Sequence, residues 1–140
     1  MWTWTALDAY SKLIVSYFVG DRSGESALIL ADDMRARIAS ERVQITTDGH
    51  NAYLGAIEAA FGADTDYAML EKVYKTDPAN SRGRYSPPVC IGAKKRAVEG
   101  KPDLAHVSTS YVERSNLSIR MQNRRFTRLS LKIGDVGCKA

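Results

Sequence analysis

STSYVERSNLSIRMQNRRFTR, residues 108–128, is the stretch whose reading decides the fold. It carries one acid, Glu113, and then Arg114, Arg120, Arg124, Arg125 and Arg128. At about 100° per residue on an α-helix, Glu113, Asn116, Arg120 and Arg124 fall within roughly 80° of one another. That face offers a carboxylate at its head and amide or basic groups below it. A carboxylate can hold a metal ion, and arginines in a row can hold phosphates. Val112, Ile119 and Phe126 recur every seven residues on the opposite side and suit a core contact. Leu117 and Met121 make a second apolar edge, so the helix is expected to pack on two sides. Two readings of Glu113 stand side by side. Ser110-x-x-Glu113 is a capping box, in which the acid reaches back to the N-cap amide, and an acid near a helix start suits the helix dipole. The chemical reading needs a second carboxylate at a strand end, with basic charge nearby.

Outward from that helix, the segment before it is the least regular in the chain. Residues 76–109 contain all four prolines, together with Arg82, Arg84, Lys94, Lys95, Arg96 and Lys101. So long a stretch without regular structure points to a basic loop that faces a polyanion, or to a floppy insert. His106, just ahead of the helix, is either a structural donor or a neighbour of Glu113. Further back, residues 67–75 (YAMLEKVYK) read as a strand with charged edges, hence an edge strand. Residues 43–47 (VQITT) are β-rich and end in Asp48-Gly49-His50 before a helical pattern of Tyr53, Leu54, Ile57 and Phe61. An acid where a strand runs into a helix lies at the carboxyl edge of a sheet, where α/β folds build their sites. Asp48 equally suits a cap of the following helix.

The amino-terminal part is a hairpin and a helix. Residues 2–7 alternate, with Trp2, Trp4 and Ala6 on one side and Thr3, Thr5 and Leu7 on the other. Residues 13–19 (LIVSYFV) are the return strand. Asp8 at the corner reads as a turn-former. Ser23 is an N-cap, and Ala27, Leu28, Leu30, Ala31, Met34 and Ile38 give an amphipathic helix to about Ser40.

The totals bound the function. At 140 residues the chain fits one domain that can bury a real core. It has no apolar run long enough to span a bilayer and no leader, so neither a membrane partner nor secretion is expected. Cys90 and Cys138 have no metal-binding spacing, and a reducing cytoplasm fits. The net charge of +4 is unevenly spread. Residues 1–75 hold 7 Lys+Arg and 11 Asp+Glu, or −4, whereas residues 76–140 hold 13 and 5, or +8. A basic half suggests an anionic partner on one side; a merely solvated basic face would carry the same charge.

Four segments, WTWTALDAYSKLIVSYFVGDRSGESA, TTDGHNAYL, DYAMLEKVY and HVSTSYVERSNLSIRMQNRRFTRL, resemble DDE transposases of the insertion-sequence-1 type. The resemblance spans residues 2–129. It implies a ribonuclease-H-like, integrase-type α/β core: a mixed sheet in the order 3-2-1-4-5 with flanking helices. Asp48 matches the family's second acid and Glu113 its third. The resemblance implies Mg²⁺ or Mn²⁺ on that pair, two-metal phosphoryl transfer in DNA transposition, and double-stranded DNA, as element ends and target, for a partner. Arg114, Asn116, Arg120 and Arg124, with Lys94, Lys95 and Arg96 from the loop, would contact its backbone. An oligomer with a full-length transposase would follow. The family's first acid comes from a strand ahead of the Trp-rich one, which is not in this sequence. Asp8 corresponds to the acid ending the second strand, outside the triad. Residues 130–140 depart from the family, which continues a helix where this chain has Gly134 and Gly137. The expectations are therefore a partial core over 1–129, a divergent tail over 130–140, either an empty slot where the central strand belongs or the fourth strand slid against the second, and no catalysis by this chain alone. Two other functions compete: a non-catalytic DNA-binding remnant, and a ribonuclease-H-like nuclease unconnected with transposition.

Overall fold

The computed structural model describes residues 1–75, 89–123 and 132–139. Strands β1 (Trp2–Asp8) and β2 (Ile14–Gly20) form the expected hairpin, with Trp4 opposite Phe18. Asp8 closes its turn by accepting from the amides of Tyr10 and Ser11, each at 3.1 Å. Helix α1 (Gly24–Arg37) starts at Ser23, whose hydroxyl accepts from the Ser26 amide at 3.2 Å. Strand β3 (Val43–Asp48) leads into helix α2 (Ala52–Phe61), and β4 (Thr65–Lys75) returns parallel to β3. Helix α3 spans Ser110–Gln122.

With β5 (Val89–Glu99) and β6 (Lys132–Lys139), these strands form one mixed sheet in the order β2-β1-β6-β3-β4-β5. Helices α1 and α2 cover one face. There Trp4, Leu30, Met34, Ile45, Tyr53, Ile57, Tyr67 and Met69 make the main core. On the other face Ala68 and Leu70 pack with Val107, just ahead of α3. Strand alternation accounts for the split: Ile45 and Tyr67 are register partners on the first face, Thr46 and Ala68 on the second.

Three expectations are corrected. The place between β1 and β3 is not an empty slot. Strand β6 (Lys132–Lys139) fills it, parallel to β1 and antiparallel to β3. Two strands flanking a gap present unpaired N–H and C=O groups that need partners, and residues 132–139 supply them through the backbone. Second, β4 is not at the edge, because β5 (Val89–Glu99) pairs along it in antiparallel fashion. Third, the loop expected over 76–109 contains that strand and a 3₁₀ turn at Leu104–His106. Strand β5 escapes pattern recognition because its side chains from Cys90 to Ala97 are all exposed, so no face alternates. Arg82, Arg84, Pro78, Pro87 and Pro88 lie outside the described residues.

Candidate functional site

Asp48 ends β3, and Glu113 lies in the first turn of α3. The fold brings these two acids into one open cleft of about 620 Å³, along with Arg22, His50, Glu71 and Lys72. Asp48 does not cap α2. Its Oδ1 accepts from the His50 amide at 3.2 Å, while Asn51 holds the N-cap position. Burial pushes the Asp48 carboxyl above its ordinary value, and the His50 amide with the Arg22 and Lys72 charges offsets this only in part. Gly49 sits against β4: a Cβ there would meet Glu71 Cγ at 3.3 Å, so a side chain would press on the cleft wall.

Glu113 is held differently. Its Oε1 accepts from the Lys72 ammonium and from Thr109 Oγ1, the latter at 2.7 Å. Burial pushes this carboxyl up, but the Lys72 and Thr109 donors outweigh it and the net shift is downward. The capping box takes another form than the sequence implied. Thr109, not Ser110, is the N-cap residue, and it meets Glu113 side chain to side chain.

His50 forms the floor. Its ring lies 5.8 Å from Trp4 and 5.9 Å from Tyr53, and its Nε2 is buried with no hydrogen-bond partner. Burial, then the Arg22 charge, hold its pKa below the ordinary histidine value. Arg22, which also lines the cleft, lies over the Trp2 ring, 4.7 Å from its centroid. Sequence reading did not assign roles to Arg22, His50, Lys72 or Thr109. For Lys72, only the pairing of Asp48 with Leu70 shows which way the strand's alternation points.

Among the described residues, none of the basic residues expected on DNA lines this cleft. Arg114 and Arg120 are exposed on α3. Asn116 is not on that surface. It is 4% exposed, and its Oδ1 accepts from Thr5 Oγ1 of β1 at 3.2 Å. The helix thus turns Val112 and Asn116 to the sheet, and Leu117 and Met121, 55% and 75% exposed, do not form the second packed edge. Lys94, Lys95 and Arg96 project from β5. Lys95 Nζ donates to the Leu104 carbonyl at 2.7 Å, and Arg96 lies 4.0 Å from Glu71. His106 pairs with Asp103 at 2.6 Å and lines a separate pocket with Tyr10 and Tyr111, outside the cleft that Glu113 lines. Arg124, Arg125, Phe126 and Arg128 lie outside the described residues.

The divalent metal implied by the resemblance does not fit the donor set as it stands. One Glu113 oxygen faces an ammonium, and among the described residues no three His, Cys, Asp or Glu side chains converge as a metal site. Among the described residues no helix is long and apolar enough to cross a membrane. No protein-family model, curated protein or solved structure matches the chain.

Proposed function

We propose that this chain is a catalytic-core fragment of a DDE-type transposase that holds double-stranded DNA without cutting it. The observation that carries the reading is the meeting of Asp48 and Glu113 in one cleft, at a strand's carboxyl end and a helix's first turn. Those are the placements the resemblance implies for two of the three acids. Four strands support it too: β2-β1 and β3-β4 stand where 3-2 and 4-5 of the ribonuclease-H-like order would, whereas β6 between them runs parallel to β1 and antiparallel to β3, the reverse of that order's strand one. Phosphate contacts fall to exposed cations outside the cleft, Arg114 and Arg120 on α3 and Lys94 on β5. They would position a duplex without reading its sequence. Lack of cleavage follows from the donor set: clamping both the attacking and the leaving oxygen takes two metal ions, and the acids of this cleft, Asp48, Glu71 and Glu113, do not converge as a metal site, with Glu113 bound to Lys72.

The test is duplex binding across a salt series, followed by incubation of supercoiled DNA with Mg²⁺ or Mn²⁺. Affinity should fall steeply as salt rises. Arg114→Ala, Arg120→Ala and Lys94→Ala should each lower the log–log slope by about one. Lys95→Ala should lower it less, because the Lys95 ammonium is already engaged with the Leu104 carbonyl. No binding at low salt, or slopes untouched by all these changes, would sink the proposal. Metal-dependent nicking that Asp48→Asn abolishes would replace it with a nuclease or full transposase reading.

A further inference from the structure

Lys72 follows Leu70 by two positions in β4, and Leu70 is the register partner of Asp48. Alternation along a strand therefore turns Lys72 to the same sheet face as Asp48. Its ammonium donates to Glu113 Oε1, and its charge also acts on Asp48. The chain itself thus supplies a cation that is bonded to Glu113 and faces the same cleft as Asp48. An ammonium has three donors and no lone pair, so it cannot share its place with a metal ion as a hydroxyl can. The formal charge of the cleft is −1, from Arg22 and Lys72 against Asp48, Glu71 and Glu113. Without Lys72 it would be −2.

We propose that Lys72 is the resident cation of the cleft, seated on Glu113 so as to exclude a divalent ion, and that removing its charge turns Asp48 and Glu113 into a divalent-metal site. This goes beyond the transposase reading: it shares the Lys72–Glu113 contact with the argument for lack of cleavage and does not depend on DNA binding. A divalent ion must either displace the ammonium or sit a few ångströms from it. Repulsion between the two at that range, in partly screened surroundings, costs on the order of tenfold or more in affinity.

The test is Mn²⁺ binding to the whole chain at neutral pH, followed by electron paramagnetic resonance. Lys72→Met keeps the length and apolar stem of the side chain but not its charge. It should bind Mn²⁺ at least about tenfold more tightly than wild type, and the gain should vanish in Lys72→Met/Glu113→Gln. Lys72→Arg should keep the ion out. A folded Lys72→Met with a smaller gain would overturn the proposal. Should Lys72→Met fail to fold, wild type decides the matter. Paramagnetic broadening of the Asp48 and Glu113 amide signals at micromolar Mn²⁺ would refute a resident ammonium, and its absence there is the expected result. Loss of DNA binding would leave each of these outcomes unchanged, so the two proposals fail separately.

Discussion

Asn116→Ala separates two orientations of helix α3. The helical face shared with Arg120 would put Asn116 on DNA, whereas the fold buries it against β1, with Oδ1 accepting from Thr5 Oγ1. Truncation removes the acceptor of a buried hydroxyl, a loss of about 1–3 kcal/mol. The void left by the carboxamide adds roughly 1 kcal/mol. The expected total is about 2–4 kcal/mol. Unfolding entropy near 2.1 cal/mol/K per residue gives about 290 cal/mol/K for 140 residues. Each kcal/mol then lowers Tm by about 3.4 °C, and the variant should melt roughly 7–14 °C below wild type. Thermal denaturation followed by circular dichroism reads this directly. The salt dependence of duplex binding should stay at the wild-type value in this variant. A melting temperature within about 2 °C of wild type, with a salt slope lowered by about one, would refute the burial of Asn116 and return it to the DNA-facing surface.

Gly100→Ala should be costly at a site far from the cleft. Gly100 has φ +67°, and a Cβ there would collide with Asp66 Oδ1, which bonds Arg42 Nη2 at 2.6 Å and the Lys101 amide at 2.9 Å. Left-handed strain and the disturbed ion pair together predict a loss of about 2–3 kcal/mol in urea denaturation; a loss under about 0.5 kcal/mol would show that the turn relaxes freely. The cleft acids should act on stability with opposite signs. Asp48 has a raised pKa in the fold, so its ionisation opposes folding at neutral pH and that penalty disappears as pH falls below its ordinary value. Asp48→Asn should therefore raise Tm at neutral pH, with the gain fading in acid, and a lowered Tm would contradict burial as the dominant influence. Glu113 has a lowered pKa, so its contribution is full above its ordinary value and is lost as pH falls through the folded value. Glu113→Gln should be less stable than wild type at neutral pH and converge with it in acid; an unchanged gap would remove Lys72 and Thr109 as the cause.

Local chemistry made much of this protein legible in one dimension. Alternation in β1, helical spacing in α1 and α2, the Ser23 cap and the Asp8 turn all depend on neighbours within a few residues, and the sequence shows those neighbours directly. So does the placement of Asp48 at a strand end and Glu113 at a helix start. What the chain order hides depends on partners far away in sequence. Residues 132–139, with Gly134 and Gly137, have no strand pattern of their own. They become a strand because β1 and β3 offer backbone groups on both sides. Strand β5 is likewise defined by its pairing with β4 rather than by a buried face. Asn116 and Arg120 share a helical face in projection, yet the contact between α3 and β1 buries one and leaves the other in solvent. Lys72 lies 41 residues from Glu113, and only the parallel register of β3 with β4 and the seat of α3 against β1 and β6 bring its ammonium to that carboxylate. Periodicity fixes which side of an element is apolar; the distance between two charges is fixed only when the elements pack.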